Sequence, residues 1–244
     1  MRLKLRMKGS RYVPVVPPPP VPTLRRVTGT YGEAIPGVTS GIWGNNTRHQ
    51  YAKVGAWNAD GSILKLINQS GTPEPLYLDG VTYAPLNMAD PIGGIADSRW
   101  HQTDPNLQIC VTGTTLLQRN VQTDGRTTIK TFPSLASIMI GNYEGNLSDD
   151  GNWIVLTVPN TTTVFAYNMN TDTTLANIST GMVYVDYATI SPSGTYVIVN
   201  GAIDEGQYDR TNIFLRATGA LHASWTTYGR PSHFDLTYDG NGDE

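Results

Sequence analysis

Gly145-Asn-Leu-Ser-Asp-Asp-Gly-Asn-Trp-Ile-Val-Leu156 joins a polar turn, closed by Asp-Gly, directly to an apolar run. Asp-Gly supplies the turn chemistry of a tight hairpin, and Trp153-Ile-Val-Leu156 suits a buried strand. The pattern recurs in Ala56-Trp-Asn-Ala-Asp-Gly-Ser-Ile-Leu-Lys-Leu66, in Arg99-Trp-His-Gln-Thr-Asp-Pro-Asn-Leu-Gln-Ile-Cys-Val111 and in Ala188-Thr-Ile-Ser-Pro-Ser-Gly-Thr-Tyr-Val-Ile-Val199, and starts again at His233-Phe-Asp-Leu-Thr-Tyr-Asp-Gly240. With Asp60, Asp104, Asp150, Ser193 and Asp239 as anchors, the intervals are 44, 46, 43 and 46 residues. That is the period of blades of about 40–50 residues, each a four-stranded sheet. The expected fold is all-β: a β-propeller of four-stranded antiparallel blades, with four complete blades and the start of a fifth. An Asp-Gly turn with no returning strand at the end of the chain marks the expected unit as a fragment of a larger ring.

Around the anchors the remaining strands fall into place. Ile63–Leu66, Leu107–Val111, Trp153–Val158 and Tyr196–Val199 read as second strands. Third and fourth strands are expected at Pro75–Leu78 and Val81–Tyr83, Thr115–Arg119 and Thr127–Phe132, Thr163–Tyr167 and Thr174–Ile178, and Thr211–Leu215 and Leu221–Trp225. Three residues before the anchors stand Trp57, His101, Leu147, Ile190 and Leu236, apolar side chains suited to packing between blades except for His101. Val27–Tyr31 is expected as an outer strand, and Gly41–Gln50 leads into the first blade.

Residues 1–23 form a separate segment. Arg2, Lys4, Arg6, Lys8 and Arg11 make a basic tail, and prolines fill six of the ten positions from Val13 to Pro22, as in an extended polyproline spacer. The propeller is expected over residues 24–244, with blade turns at 60–61, 104–106, 150–151, 193–194 and 239–240. A net charge of −3 with 15% charged residues offers no basic field for nucleic acid, and no apolar stretch suits a membrane span or a visible signal peptide. The single cysteine, Cys110, excludes an intramolecular disulfide and reads as a buried strand residue. Neither a metal nor a cofactor is expected. His49, His101, His222 and His233 show no metal-ligand spacing, and no nucleophile elbow or phosphate loop occurs.

Ser191-Pro-Ser-Gly-Thr-Tyr196 and Ser148-Asp-Asp-Gly-Asn-Trp153 resemble the repeat turns of TolB-type, WD40-like bacterial β-propellers. The segments at Arg48–Gly61, Arg99–Asn106 and Ser232–Leu236 are similar to exported bacterial propellers of unassigned function. The resemblance implies a periplasmic or extracellular location and a distant relation to propeller polysaccharide lyases such as oligogalacturonate lyase.

In a propeller the first strand of each blade lines the channel, and the segments entering those strands crowd one mouth. Candidate ligand-binding residues there are Arg48, His49, Arg99, Tyr143, Glu144, Asp186, Tyr187, Arg230, His233 and Asp235. Rings for stacking and fixed ions for orientation suit a carbohydrate or protein ligand, so the expected function is a binding platform. Two alternatives are a lyase on uronic-acid polymers, for which His233, Tyr187 and Arg48 are the catalytic candidates, and a structural protein-interaction module.

Overall fold

The computed structural model describes residues 26–50, 54–88, 97–204, 208–228 and 238. The basic, proline-rich segment at 1–23 and the fifth repeat with its anchor Asp239 lie outside the described residues. Within them the chain is all-β, in four consecutive antiparallel sheets.

The first sheet comprises β1 (Asn46–Arg48), β2 (Ile63–Gln69) and β3 (Leu76–Asp79). The second holds β4 (Asp97–Trp100), β5 (Leu107–Thr112), β6 (Thr115–Asn120) and β7 (Arg126–Thr131). The third holds β8 (Met139–Ile140), β9 (Trp153–Thr157), β10 (Val164–Asn168) and β11 (Thr173–Thr174), with a 3-10 turn, η1 (Gly141–Tyr143), after β8. The fourth holds β12 (Tyr184–Ile190), β13 (Tyr196–Ala202), β14 (Tyr208–Leu215) and β15 (Leu221–Tyr228). Strands pair in sequence order within every sheet, and first strands neighbour an adjacent sheet, β4 against β8 of the third and β12 against β9 and η1 of the third. This is the blade plan of a β-propeller.

Strand residues alternate between two buried faces, which is why the second strands read as unbroken apolar runs. On β9, Ile154 and Leu156 join Ile109, Val111 and Leu116 in a core between the second and third sheets. Val155, on the opposite face, joins Val185, Ala188, Val197 and Val199 between the third and fourth. A smaller cluster of Ile63, Tyr77, Trp100 and Val121 fills the space between the first and second.

The anchor turns have one construction. The side chains of Asp60, Asp104, Asp150 and Ser193 accept hydrogen bonds from the amides of Ser62, Asn106, Asn152 and Thr195 at 2.9–3.1 Å. Gly61, Gly151 and Gly194 follow three of these anchors with φ of 73°, 72° and 74°, the left-handed region that favours glycine. Two residues before the anchor, Asn58, Ser148 and Ser191 accept from the amides that open β2, β9 and β13, those of Ile63, Trp153 and Tyr196.

Four expectations need correction. Val81–Tyr83 is no strand: the Asp79 carboxylate takes the Val81 and Thr82 amides and the Thr82 hydroxyl, closing a turn. The returning chain pairs with β3 only from Ala84, through Asp79 N–H to Ala84 O and Leu86 N–H to Tyr77 O. Of Thr174–Ile178 only Thr174 is strand, as the end of β11. Leu175 bonds to Ala166 and Ile178 to Val164, so one extra residue is inserted and the ladder breaks. Val27–Tyr31 forms no strand. Trp57 is 50% exposed instead of packed between blades, whereas Leu147 and Ile190 at the equivalent positions are buried; Leu236 lies outside the described residues.

Candidate functional site

A cleft of about 390 Å³ opens among the segments that lead into the hairpin turns of the four sheets. Every sheet contributes: Trp57 and Asn58 from the first, Arg99–Gln102 from the second, Glu144, Asn146, Leu147 and Asp149 from the third, and Tyr187, Thr189, Ile190 and Pro192 from the fourth. The repeat explains the convergence, since these residues occupy corresponding positions just before the hairpin turns.

Of the sequence candidates, Arg99, Glu144 and Tyr187 therefore share one cleft. Arg48 and His49 are exposed and absent from its lining, and the Arg48 Nη1 donates to the carbonyls of His49 and Gln50. Tyr143 lines a different cleft, while Asp186 sits half-buried at a register shift in β12 and lines neither. Arg230, His233 and Asp235 lie outside the described residues.

Arg99 is 2% exposed and its charge is already answered. Its Nη1 donates to the Asp97 carboxylate, its Nε to the Gly145 carbonyl and its Nη2 to the Ile140 carbonyl. The other Asp97 oxygen accepts the Ile140 amide at 2.8 Å. The pair thus fastens β4 to the start of the third sheet and forms a neutral floor. Tyr187 is also buried, at 1% exposure.

His101 stands at the cleft edge, where its Nδ1 accepts the Asp104 amide at 3.1 Å and the Thr103 amide at 3.3 Å. With Nδ1 an acceptor, the neutral ring carries its proton on Nε2. Burial holds its pKa below the usual histidine value, against the opposing pull of Asp104. A neutral imidazole with its basic nitrogen occupied is a turn-forming group and a poor proton acceptor. It also fills the space over Gly151, where an added Cβ would come within 2.8 Å of the ring.

The cleft is also lined by a half-exposed indole at Trp57, an exposed carboxylate at Asp149 and a half-buried Glu144. Sequence reasoning missed Trp57, which looked like a packing residue, and Asp149, which looked like part of a turn. Their places three residues before Asp60 and one before Asp150, inside the stretches that lead into the turns, were the available sign.

No family model and no curated protein sequence matches the chain. Solved structures do. The hydrazine synthase of Kuenenia stuttgartiensis aligns with a TM-score of 0.52 at 16% identity, over 76% of this chain and 52% of that one. TolB from Acinetobacter baumannii aligns with a TM-score of 0.52 at 17% identity, over 71% of this chain and 43% of that one. The chain thus spans about half the length of the structures it matches, and the likeness is one of fold: a TolB-like β-propeller.

Proposed function

We propose that this propeller is an exported binding platform, and that a protein segment presenting lysine or arginine seats in the cleft beside the hairpin turns. The observation that carries the reading is the convergence of all four sheets on one cleft whose buried guanidinium is paired with Asp97, while the exposed carboxylate of Asp149 and the half-exposed indole of Trp57 both line it. Carboxylates and a tryptophan face complement a cationic side chain, through charge and through cation–π attraction. Location in the periplasm or outside the cell belongs to the same proposal and rests on the TolB-like repeat. Among the described residues no helix is long and apolar enough to cross a membrane.

The lyase alternative needs a cation to steady the developing charge and a base within about 3 Å of the proton it removes. Arg48 lies away from the cleft, Arg99 is engaged with Asp97, and His101 holds its basic nitrogen in a turn. No observation favours that reading over binding.

Calorimetric titration with tetralysine and tetraarginine, and with tetraglutamate as control, tests the platform. Binding of the cationic peptides that weakens with added salt and falls at least tenfold in Trp57→Ala and Asp149→Asn is expected. Equal binding of tetraglutamate, or indifference to both substitutions, would refute it. Ultraviolet absorbance from unsaturated ends, on mixing with polygalacturonate, would replace it with the enzyme reading.

A further inference from the structure

The geometry points to a second binding site, for a neutral saccharide, in a cleft between the third and fourth sheets. It encloses about 290 Å³ and is lined by Tyr143, Tyr184, Asn142, Asn160, Thr157 and Thr161 among others, without one Asp, Glu, Lys, Arg or His. Tyr184 opens β12 and Ile190, which lines the first cleft, closes it. At about 3.3 Å per strand residue the two clefts lie roughly 20 Å apart, at opposite ends of the strand.

Three features set this cleft apart from an ordinary gap between blades. Its two tyrosines are half-exposed, 45% for Tyr143 and 43% for Tyr184, so each keeps surface open to solvent. Tyr143 is placed there by an unusual backbone: Gly141, Asn142 and Tyr143 are successive left-handed residues with φ of 51°, 57° and 73°. Each non-glycine residue in that region costs free energy, and such a run persists only when its surroundings enforce it. The enforcement is visible. The Asn142 amide donates to the Thr157 hydroxyl at 2.9 Å, and its side chain donates to the Asp186 and Val185 carbonyls at 2.8 and 3.3 Å. At Gly141 a Cβ would stand 1.8 Å from the Ala188 carbonyl oxygen, so the bend passes where only glycine fits. The result is a braced turn that holds a tyrosine at the edge of a cleft shared with a second tyrosine.

The lining selects the ligand class. Two tyrosine faces stack against the C–H face of a pyranose, while phenol, hydroxyl and amide groups exchange hydrogen bonds with its hydroxyls. A charged polymer would give up hydration to an uncharged wall with no ion to replace it. An apolar peptide would cover the exposed Asn160 side chain and the Tyr143 phenol without matching their polar groups.

Titration calorimetry with maltotetraose, cellotetraose and chitotetraose, and with tetragalacturonate as the charged comparison, tests the site. At least one neutral tetrasaccharide should bind, with an affinity indifferent to 0.5 M sodium chloride. Tyr143→Ala and Tyr184→Ala should each weaken it about tenfold, a loss of one stacking ring at about 1.4 kcal/mol per decade, while Tyr184→Phe retains most of it and Trp57→Ala none of the loss. Unchanged melting temperatures in the tyrosine variants separate lost binding from lost folding; if one unfolds, Tyr184→Phe and Trp57→Ala still discriminate. Binding of none of the three neutral sugars, a preference for tetragalacturonate, or loss in Trp57→Ala with the tyrosine variants intact would overturn the assignment. The cationic-peptide titration reads the other cleft, so failure of either site leaves the other standing.

Discussion

Lys65 projects from β2 into a site where it is 3% exposed, and its Nζ donates to the Ser98 hydroxyl across the gap between the first two sheets at 3.0 Å. Burial, reinforced by the positive charge of Arg99, pushes its pKa down to about 8 from an ordinary 10.5. Between those values the unfolded chain holds a proton that the folded one has released, so stability rises with pH across the interval and is at its lowest below about 8. A melting temperature that climbs from pH 7 to pH 10, and a flattened climb in Lys65→Met, are the expected outcomes. The difference is on the order of 3 kcal/mol by the usual 1.36 kcal/mol per pKa unit. His101 acts with the same sign at lower pH. Its folded pKa is lowered, chiefly by burial, so stability present above the unfolded value of about 6.5 is lost as pH falls below it. Melting curves between pH 7 and pH 5 should show this loss in the parent and a smaller one in His101→Asn, whose side-chain oxygen can still cap the turn.

At the scale of the element, the hairpin between first and second strands is the unit that repeats. Removing the oxygen that receives the strand-opening amide, in Ser148→Ala or Ser191→Ala, should cost about 1 kcal/mol each by chemical denaturation, since each exchanges one hydrogen bond for an unmet donor. Such elements were legible in the sequence because their chemistry is local: Asp-Gly and Ser-Gly need only their own neighbours to form the turn, and the apolar run that follows needs only to be buried. The second and third strands came through for the same reason. Elements set by longer-range geometry did not. The turn at 79–82 displaced a strand because one carboxylate gathers three donors, and the slip after Thr174 depends on a single inserted residue. The bend at Gly141–Tyr143 depends on carbonyls of β12, about forty residues away. The candidate site divides along the same line. Glu144 and Tyr187 follow from the repeat register, but whether Arg99 is available for a ligand depends on its pairing with Asp97 and with the third sheet, which no spacing reveals.

At the scale of the molecule, each pair of neighbouring sheets is joined by an arginine as well as by its apolar core. Arg119, fully buried, donates to the Tyr77 hydroxyl at 2.9 Å and to Asp124, linking the second sheet to the first. Arg99 links the second to the third, and Arg216 lies 3.6 Å over the Trp153 ring while donating to the Gly194 carbonyl, linking the fourth to the third. Replacing one partner of a buried pair strands the other. Arg99→Met should therefore destabilise by roughly 3–5 kcal/mol, and the double variant Asp97→Asn with Arg99→Met should recover part of it, because the uncompensated carboxylate is gone. Denaturation midpoints of the two variants check this; an Arg99→Met protein as stable as the parent would show that the apolar interfaces alone hold the sheets in register.

The single cysteine offers a view of how these sheets come apart. Cys110 sits in the middle of β5 with no exposed surface, and burial pushes its thiol up to about 12. Because the thiolate is the reactive form, a disulfide reagent added at neutral pH meets essentially none of it while the second sheet is closed. Labelling must wait for an opening. The chain thus carries its own chronometer: the rate at which one sulfur is consumed measures how often that sheet parts from its neighbours, with no probe introduced and no second site to confuse the reading.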